Sequence, residues 1–244
     1  MNRVSVLDRI VVRAALTPRR ILFPDESVPA MRDALVRLVG ENIVVPCFAG
    51  SCAGEFDGEL AWGERAAGES VFHLIELATP TDAGETVLAF ASGGPARLAA
   101  VARESAEQYR RLCDNEPRVA LLSFSTHGSA RHRAVDTVRE AFETLREGHP
   151  TLAVGGELQG DAALVATIAA SKAPGDPVAG RANVLVFPDG DSAEIGRALV
   201  ERLGEARVAG PFTAGRARPL NLLSRGASAD AIVLAAAVTA LQAG

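Results

Sequence analysis

The segment Pro219-Leu-Asn-Leu-Leu-Ser224-Arg225-Gly226-Ala-Ser228-Ala-Asp230-Ala231 sets a hydroxyl, a guanidinium and a glycine side by side, ahead of an apolar run that reads as a helix. A hydroxyl donates to a carbonyl or phosphoryl oxygen, and a guanidinium grips an oxyanion bidentately. Glycine lets a ligand approach the backbone closely. Together they have the chemistry of a phosphate or thioester oxygen site. A second cluster, Ser123-Phe-Ser125-Thr126-His127-Gly128-Ser129, follows an apolar β-type run and precedes a helical pattern. Hydroxyls, a glycine and the unpaired N–H groups of a helix start make an anion cradle from Ser125, Thr126, Gly128 and Ser129. A well-capped strand-to-helix loop accounts for the same residues equally well.

Other chemistries find little support. The sequence contains neither a G-x-x-x-x-G-K-[ST] loop nor a G-x-G-x-x-G turn after a strand, and it lacks a G-x-S-x-G elbow. His127 and His132 are five residues apart, so a helix does not place them on one face as a metal pair. His73 and His149 stand alone, and all four histidines read as solvated or satisfied within the core. Cys47, Cys52 and Cys113 make no disulfide framework and no four-ligand zinc set; buried free thiols are expected. The formal net charge of -5 gives no reason to expect nucleic acid or a membrane surface as partner. All but one of the basic residues are Arg, Lys172 being the exception. No apolar stretch reaches bilayer-spanning length and residues 1–16 lack a leader-type apolar run, so a cytoplasmic address is expected.

These residues need elements to position them. Arg20–Phe23, Ile43–Phe48, Thr86–Phe90, Val119–Phe124 and Asn183–Phe187 are short β-branched or apolar runs that predict buried strands. Helical patterns fall between them, at Val28–Val39, Ala96–Leu112 and Arg131–Glu147, the last closing at Gly148. Asp191-Ser-Ala-Glu194 predicts a capping box opening a further helix, and Asp230–Gln242 a final one. Residues 50–85 show little periodicity and read as loops. Strands alternating with helices predict an α/β fold with a mostly parallel sheet flanked by helices.

Four stretches in order carry a resemblance: Leu122–Ala130, Gly156–Ala163, Lys172–Asn183 and Asn221–Gly226. In type and spacing they resemble the phosphate acetyl/butyryltransferase family, phosphotransacetylases above all, over residues 118–244 almost continuously. Arg20-Ile-Leu-Phe-Pro-Asp25 is similar to the family's N-terminal strand motif. The resemblance implies acyl transfer between coenzyme A and phosphate, with coenzyme A as a substrate, no permanently bound cofactor, no metal and commonly a homodimer. It gives Ser224 the reacting carbonyl and thiol, and Arg225 and Gly226 the phosphate. Asp230 is the nearest carboxylate for a catalytic base. Ser125, Thr126, Gly128, Ser129, Lys172, Asn183 and Asp189 fall in its substrate-binding motifs.

The same resemblance implies two lobes with a cleft, one from residues 1–50 with approximately 183–244 and a reduced one from approximately 51–182. Two departures bear on activity. The family's base is an aspartate seven residues after the serine, where this chain has Ala231; Asp230, one residue early, is turned by about 100° on a helix and reads as a helix-dipole charge. The family's Gly-Ala-x-x-[Ser/Thr]-Thr segment with its phosphate-binding arginine has no counterpart between Gly50 and Gly84. An active acyltransferase and an impaired homologue that binds coenzyme A, acyl phosphate or a partner subunit are both compatible with this pattern.

Overall fold

The computed structural model describes residues 5–50, 55–63 and 69–244. In chain order its elements begin with α1 (Val6–Leu16), β1 (Arg20–Phe23), α2 (Pro29–Gly40), β2 (Val45–Phe48), β3 (Gly58–Trp62), β4 (Val71–Glu76) and β5 (Val87–Ser92). They continue with α3 (Leu98–Cys113), β6 (Arg118–Leu122), α4 (Arg133–Gly148), β7 (Ala153–Leu158), α5 (Gly160–Leu164) and α6 (Ala166–Lys172). The last are β8 (Val184–Val186), α7 (Gly190–Leu203), β9 (Arg207–Thr213), β10 (Leu220–Leu223) and α8 (Ala229–Gln242). The fold is α/β, as the alternation of runs predicts. None of the described helices is long and apolar enough to cross a membrane.

The chain divides into two compact units: Met1–Ala66 with Arg111–Cys113 and Ala209–Gly244, and Ala67–Arg110 with Asp114–Val208. These limits differ from those expected from sequence. The first boundary moves past residue 50 because β3 pairs with β1 and β10. The second moves to 208 because β8 is hydrogen-bonded between β5 and β6.

The first unit holds a sheet of order β10-β3-β1-β2, every pair parallel. Helix α8 covers it, packing on β3, β10 and β1 and against α1 and α2. Its Ile232, Val233, Ala235, Ala236, Ala237, Val238 and Ala240 are buried on every side, and an all-apolar helix belongs inside. Helix and sheet approach closely at Gly58, where a Cβ would stand 2.6 Å from Thr239 Cγ2.

The second unit holds β7, β6, β8, β5 and β4, hydrogen-bonded in that order, and β9 follows β4 in the sheet while spanning the limit at Val208. Strands β7, β6, β8 and β5 are parallel, and β4 returns antiparallel to β5. All six residues of β5 are buried, as a central strand covered on both faces requires. The loop reading of residues 50–85 is corrected by β3 and β4; the parts of it at 51–54 and 64–68, with Cys52, lie outside the described residues. Cys47 is disulfide-bonded, which corrects the expectation of a free thiol there, because a single bridge needs no framework of cysteines. Cys113 is free and buried.

Candidate active site

Because β1, β3 and β10 run parallel, their carboxyl ends share one edge of the first unit's sheet, the edge where open α/β sheets hold ligands. Strand β10 buries Asn221 and Leu223 and turns the intervening residues outward. The wholly buried Asn221 acts as a lock. Its Nδ2 donates to Thr239 Oγ1 at 2.9 Å and Gln242 Oε1 at 2.7 Å, and its Oδ1 accepts from the Thr213 N–H at 2.8 Å. With β10 fixed to α8 in this way, the chain leaves the strand at Ser224.

Ser224 Oγ accepts from the Gly226 N–H at 3.2 Å, which leaves the hydroxyl hydrogen for another acceptor. The exposed Arg225 holds its guanidinium carbon 5.7 Å from the centroid of the Trp62 ring. Trp62, Gly63, Leu223, Ser224 and Arg225 line an open depression of about 430 Å³. Asp25, just beyond β1, has its carboxyl held below the usual aspartate range, first by hydrogen bonds from Ser27 and to a lesser degree by the charge of Arg225. Sequence reasoning gave Trp62 and Asp25 no role; the signal lay in the parallel strands, whose carboxyl ends must coincide.

Asp230 sits in the first turn of α8 behind the N-cap Ser228, whose Oγ accepts from the Ala231 N–H at 3.2 Å. Its carboxylate is engaged by Arg37, and this hydrogen bond raises the guanidinium's pKa further above its already high range. Asp230 therefore sits where a helix-dipole charge belongs, and to act as a base it would have to give up Arg37.

The Ser123–Ser129 cluster lies at the carboxyl end of β6 in the second unit, and it does cradle an anion. That anion is the protein's own Glu157. Ser125 Oγ donates to Glu157 Oε1 at 2.8 Å, the Gly128 N–H does so at 2.7 Å, and Arg139 Nε stands 3.5 Å from Oε2. Ser129 Oγ accepts from the Thr126 N–H at 3.0 Å, and Thr126 Oγ1 accepts from the Gln159 N–H at 2.9 Å. Ser125, Thr126 and Glu157 are buried, whereas Gly128 and Ser129 reach the surface. His127 pairs its Nε2 with the buried Asp176 at 3.1 Å, and His132 caps α4.

Three further expected ligand residues have structural partners. Asn183 is wholly buried, accepting from the Arg118 N–H at 2.7 Å and donating to the Glu116 carbonyl at 3.0 Å, so it ties β8 to β6 and is out of a ligand's reach. Lys172 donates to Asp161 at 2.9 Å and Gln159 at 3.1 Å. Asp189 is the N-cap of α7, accepting from the Ser192 N–H at 2.7 Å. The helix thus opens two residues before the expected Asp191 box.

A model of the phosphate acetyl/butaryl transferase family matches residues 94–240, a stretch that includes both hydroxyl clusters. The chain belongs to that family. The phosphate acetyltransferase of Thermoanaerobacterium thermosaccharolyticum is 54% identical to this family member over 146 residues, covering 60% of this chain and 44% of that protein. The phosphate acetyltransferase of Clostridium acetobutylicum is 51% identical over 146 residues, with 60% and 44% covered. This family member therefore spans less than half of the length of the curated relatives it matches. In fold it is similar to a phosphotransacetylase from Streptococcus pyogenes, with a TM-score of 0.83 at 25% identity, covering 100% of this chain and 99% of that one. The EutD phosphotransacetylase from Staphylococcus aureus gives 0.81 at 22% identity, with 98% of each chain covered.

Proposed function

We propose that this chain transfers a short acyl group between coenzyme A and inorganic phosphate. Coenzyme A thiolate attacks the carbonyl carbon of an acyl phosphate, the C–S bond forms, the bond from that carbon to the bridging oxygen breaks, and phosphate leaves with that oxygen. Ser224 donates its free hydroxyl hydrogen to the carbonyl oxygen, where negative charge develops. Arg225 and the backbone at Gly226 take the phosphoryl oxygens. The single observation that carries this reading is the pairing of Ser224 and Arg225 in one depression at the carboxyl edge of a parallel sheet. Coenzyme A is a substrate in this scheme and no cofactor is required. A homodimer is the assembly that the family resemblance implies.

One observation favours a second reading, a homologue that binds these ligands without turning them over. Ala231 stands where the resemblance requires the base, and the neighbouring Asp230 is held by Arg37. The test is purified protein with acetyl phosphate and coenzyme A, followed by thioester absorbance. Turnover that Arg225→Ala abolishes supports the first reading. Coenzyme A binding in a calorimeter, with no turnover on any short-chain acyl phosphate, supports the second.

A further inference from the structure

Trp62 is the single tryptophan of the chain and the last residue of β3. In the parallel register it stands opposite Leu223, the residue before Ser224. The ring is therefore delivered to the place where Arg225 emerges, and the guanidinium lies over it at 5.7 Å from the centroid. Among the described residues, no carboxylate hydrogen-bonds Arg225; Asp25 acts on it only through space. The indole Nε1 is buried and has no hydrogen-bond partner among the described residues, while the ring face meets the guanidinium.

We infer that Trp62 is a positioning residue for Arg225, its indole face holding an otherwise rotamer-rich guanidinium in the orientation that meets a phosphoryl oxygen. The inference rests on the reading of Arg225 as the phosphate-binding residue. A cation is attracted to the negative face of an aromatic ring, tryptophan most strongly, and a guanidinium can stack there with its N–H edge still free for an oxyanion. A freely rotating arginine must be ordered when phosphate binds, and the ring meets part of that cost beforehand.

Inorganic phosphate titrated into the intact protein, followed both by calorimetry and by the fluorescence of this one tryptophan, tests the assignment. Phosphate is expected to shift the Trp62 emission with the same midpoint that calorimetry gives. Trp62→Phe, which keeps a smaller aromatic face and removes the unpartnered N–H with its five-membered ring, should bind within about threefold of the parent. Trp62→Leu should weaken phosphate binding by about fivefold to tenfold and, where turnover is measurable, raise the KM for phosphate by a larger factor than it lowers kcat. Parent-like phosphate affinity in Trp62→Leu, or emission that stays still while calorimetry records binding, overturns the inference and leaves the reading of Arg225 standing. Phosphate binding that is absent from the parent, or undiminished in Arg225→Met, overturns that reading and the inference with it.

Discussion

At the scale of single residues, the proposed site has a donor and a cation and, among the described residues, a carboxylate nearest in sequence that is already paired with an arginine. Ser224 has a free hydroxyl hydrogen and Arg225 a free N–H edge, while Asp230 is spent on Arg37. Restoring a carboxylate one position later should therefore help. Ala231 is exposed in the first turn of α8, where an added negative charge also complements the helix dipole. Ala231→Asp is expected to raise turnover by about 10²-fold, the lower end of what a positioned base contributes, as read from thioester formation. The pH profile gives an independent check. Without a base, the rate follows the thiolate fraction of coenzyme A, so its logarithm should climb about one unit per pH unit throughout the range below the pKa of that thiol. In Ala231→Asp the climb should flatten at lower pH. The hydroxyl and the guanidinium were legible from residue type alone. The carboxylate inside the Ser125 cradle was not, since Glu157 lies 32 residues further on and reaches it only through β6–β7 pairing.

At the scale of elements, position is set by buried polar bonds between strand and helix. Asn221 joins β10 to α8 and to the end of β9, and replacing it with leucine orphans the Thr213 N–H and the Gln242 side-chain Oε1. Asn221→Leu should cost about 2–4 kcal/mol by the penalties for unmet buried groups, read as a lower urea midpoint with an unchanged slope. A gentler device fixes α6. The Asp161 carboxyl sits below the usual aspartate range, first because Lys172 hydrogen-bonds it. A depressed carboxyl stabilises the fold above its unfolded pKa of about 3.9 and loses that contribution as pH falls through the lower folded value. A carbon-detected titration should find the Asp161 midpoint below 3.9, rising towards it in Lys172→Met. The β-branched runs made most strands legible. Strand β4 was missed although Val71-Phe72-His73-Leu74-Ile75 is apolar at every position but His73, because the loop-like glycines on either side outweighed it. The opening of α7 was misplaced because Asp191-Ser-x-Glu satisfies the box pattern, whereas the side chain that reaches an orphan N–H belongs to Asp189.

At the scale of the whole molecule, the alternation of runs predicted an α/β chain, and the two-unit division could not be placed from it. The boundaries depend on which strand lies beside which, and pairing partners far apart in sequence leave no local mark. Strand β3 is the clearest case. It hydrogen-bonds β1 on one side and β10 on the other, and β10 begins about 160 residues later in the chain. During synthesis, β3 therefore emerges as an unpaired edge and waits for its partner. At ribosomal speeds of about 5–20 residues per second, that wait lasts on the order of 10–30 s. The second unit has all its own strands out of the ribosome before then. Nascent chains stalled short of β10 should show protease protection across β5 to β8 and none across β1 to β3. An exposed strand edge invites pairing with a neighbouring chain, and β10, which leads into Ser224 and Arg225, covers the edge of β3 and takes the edge position itself.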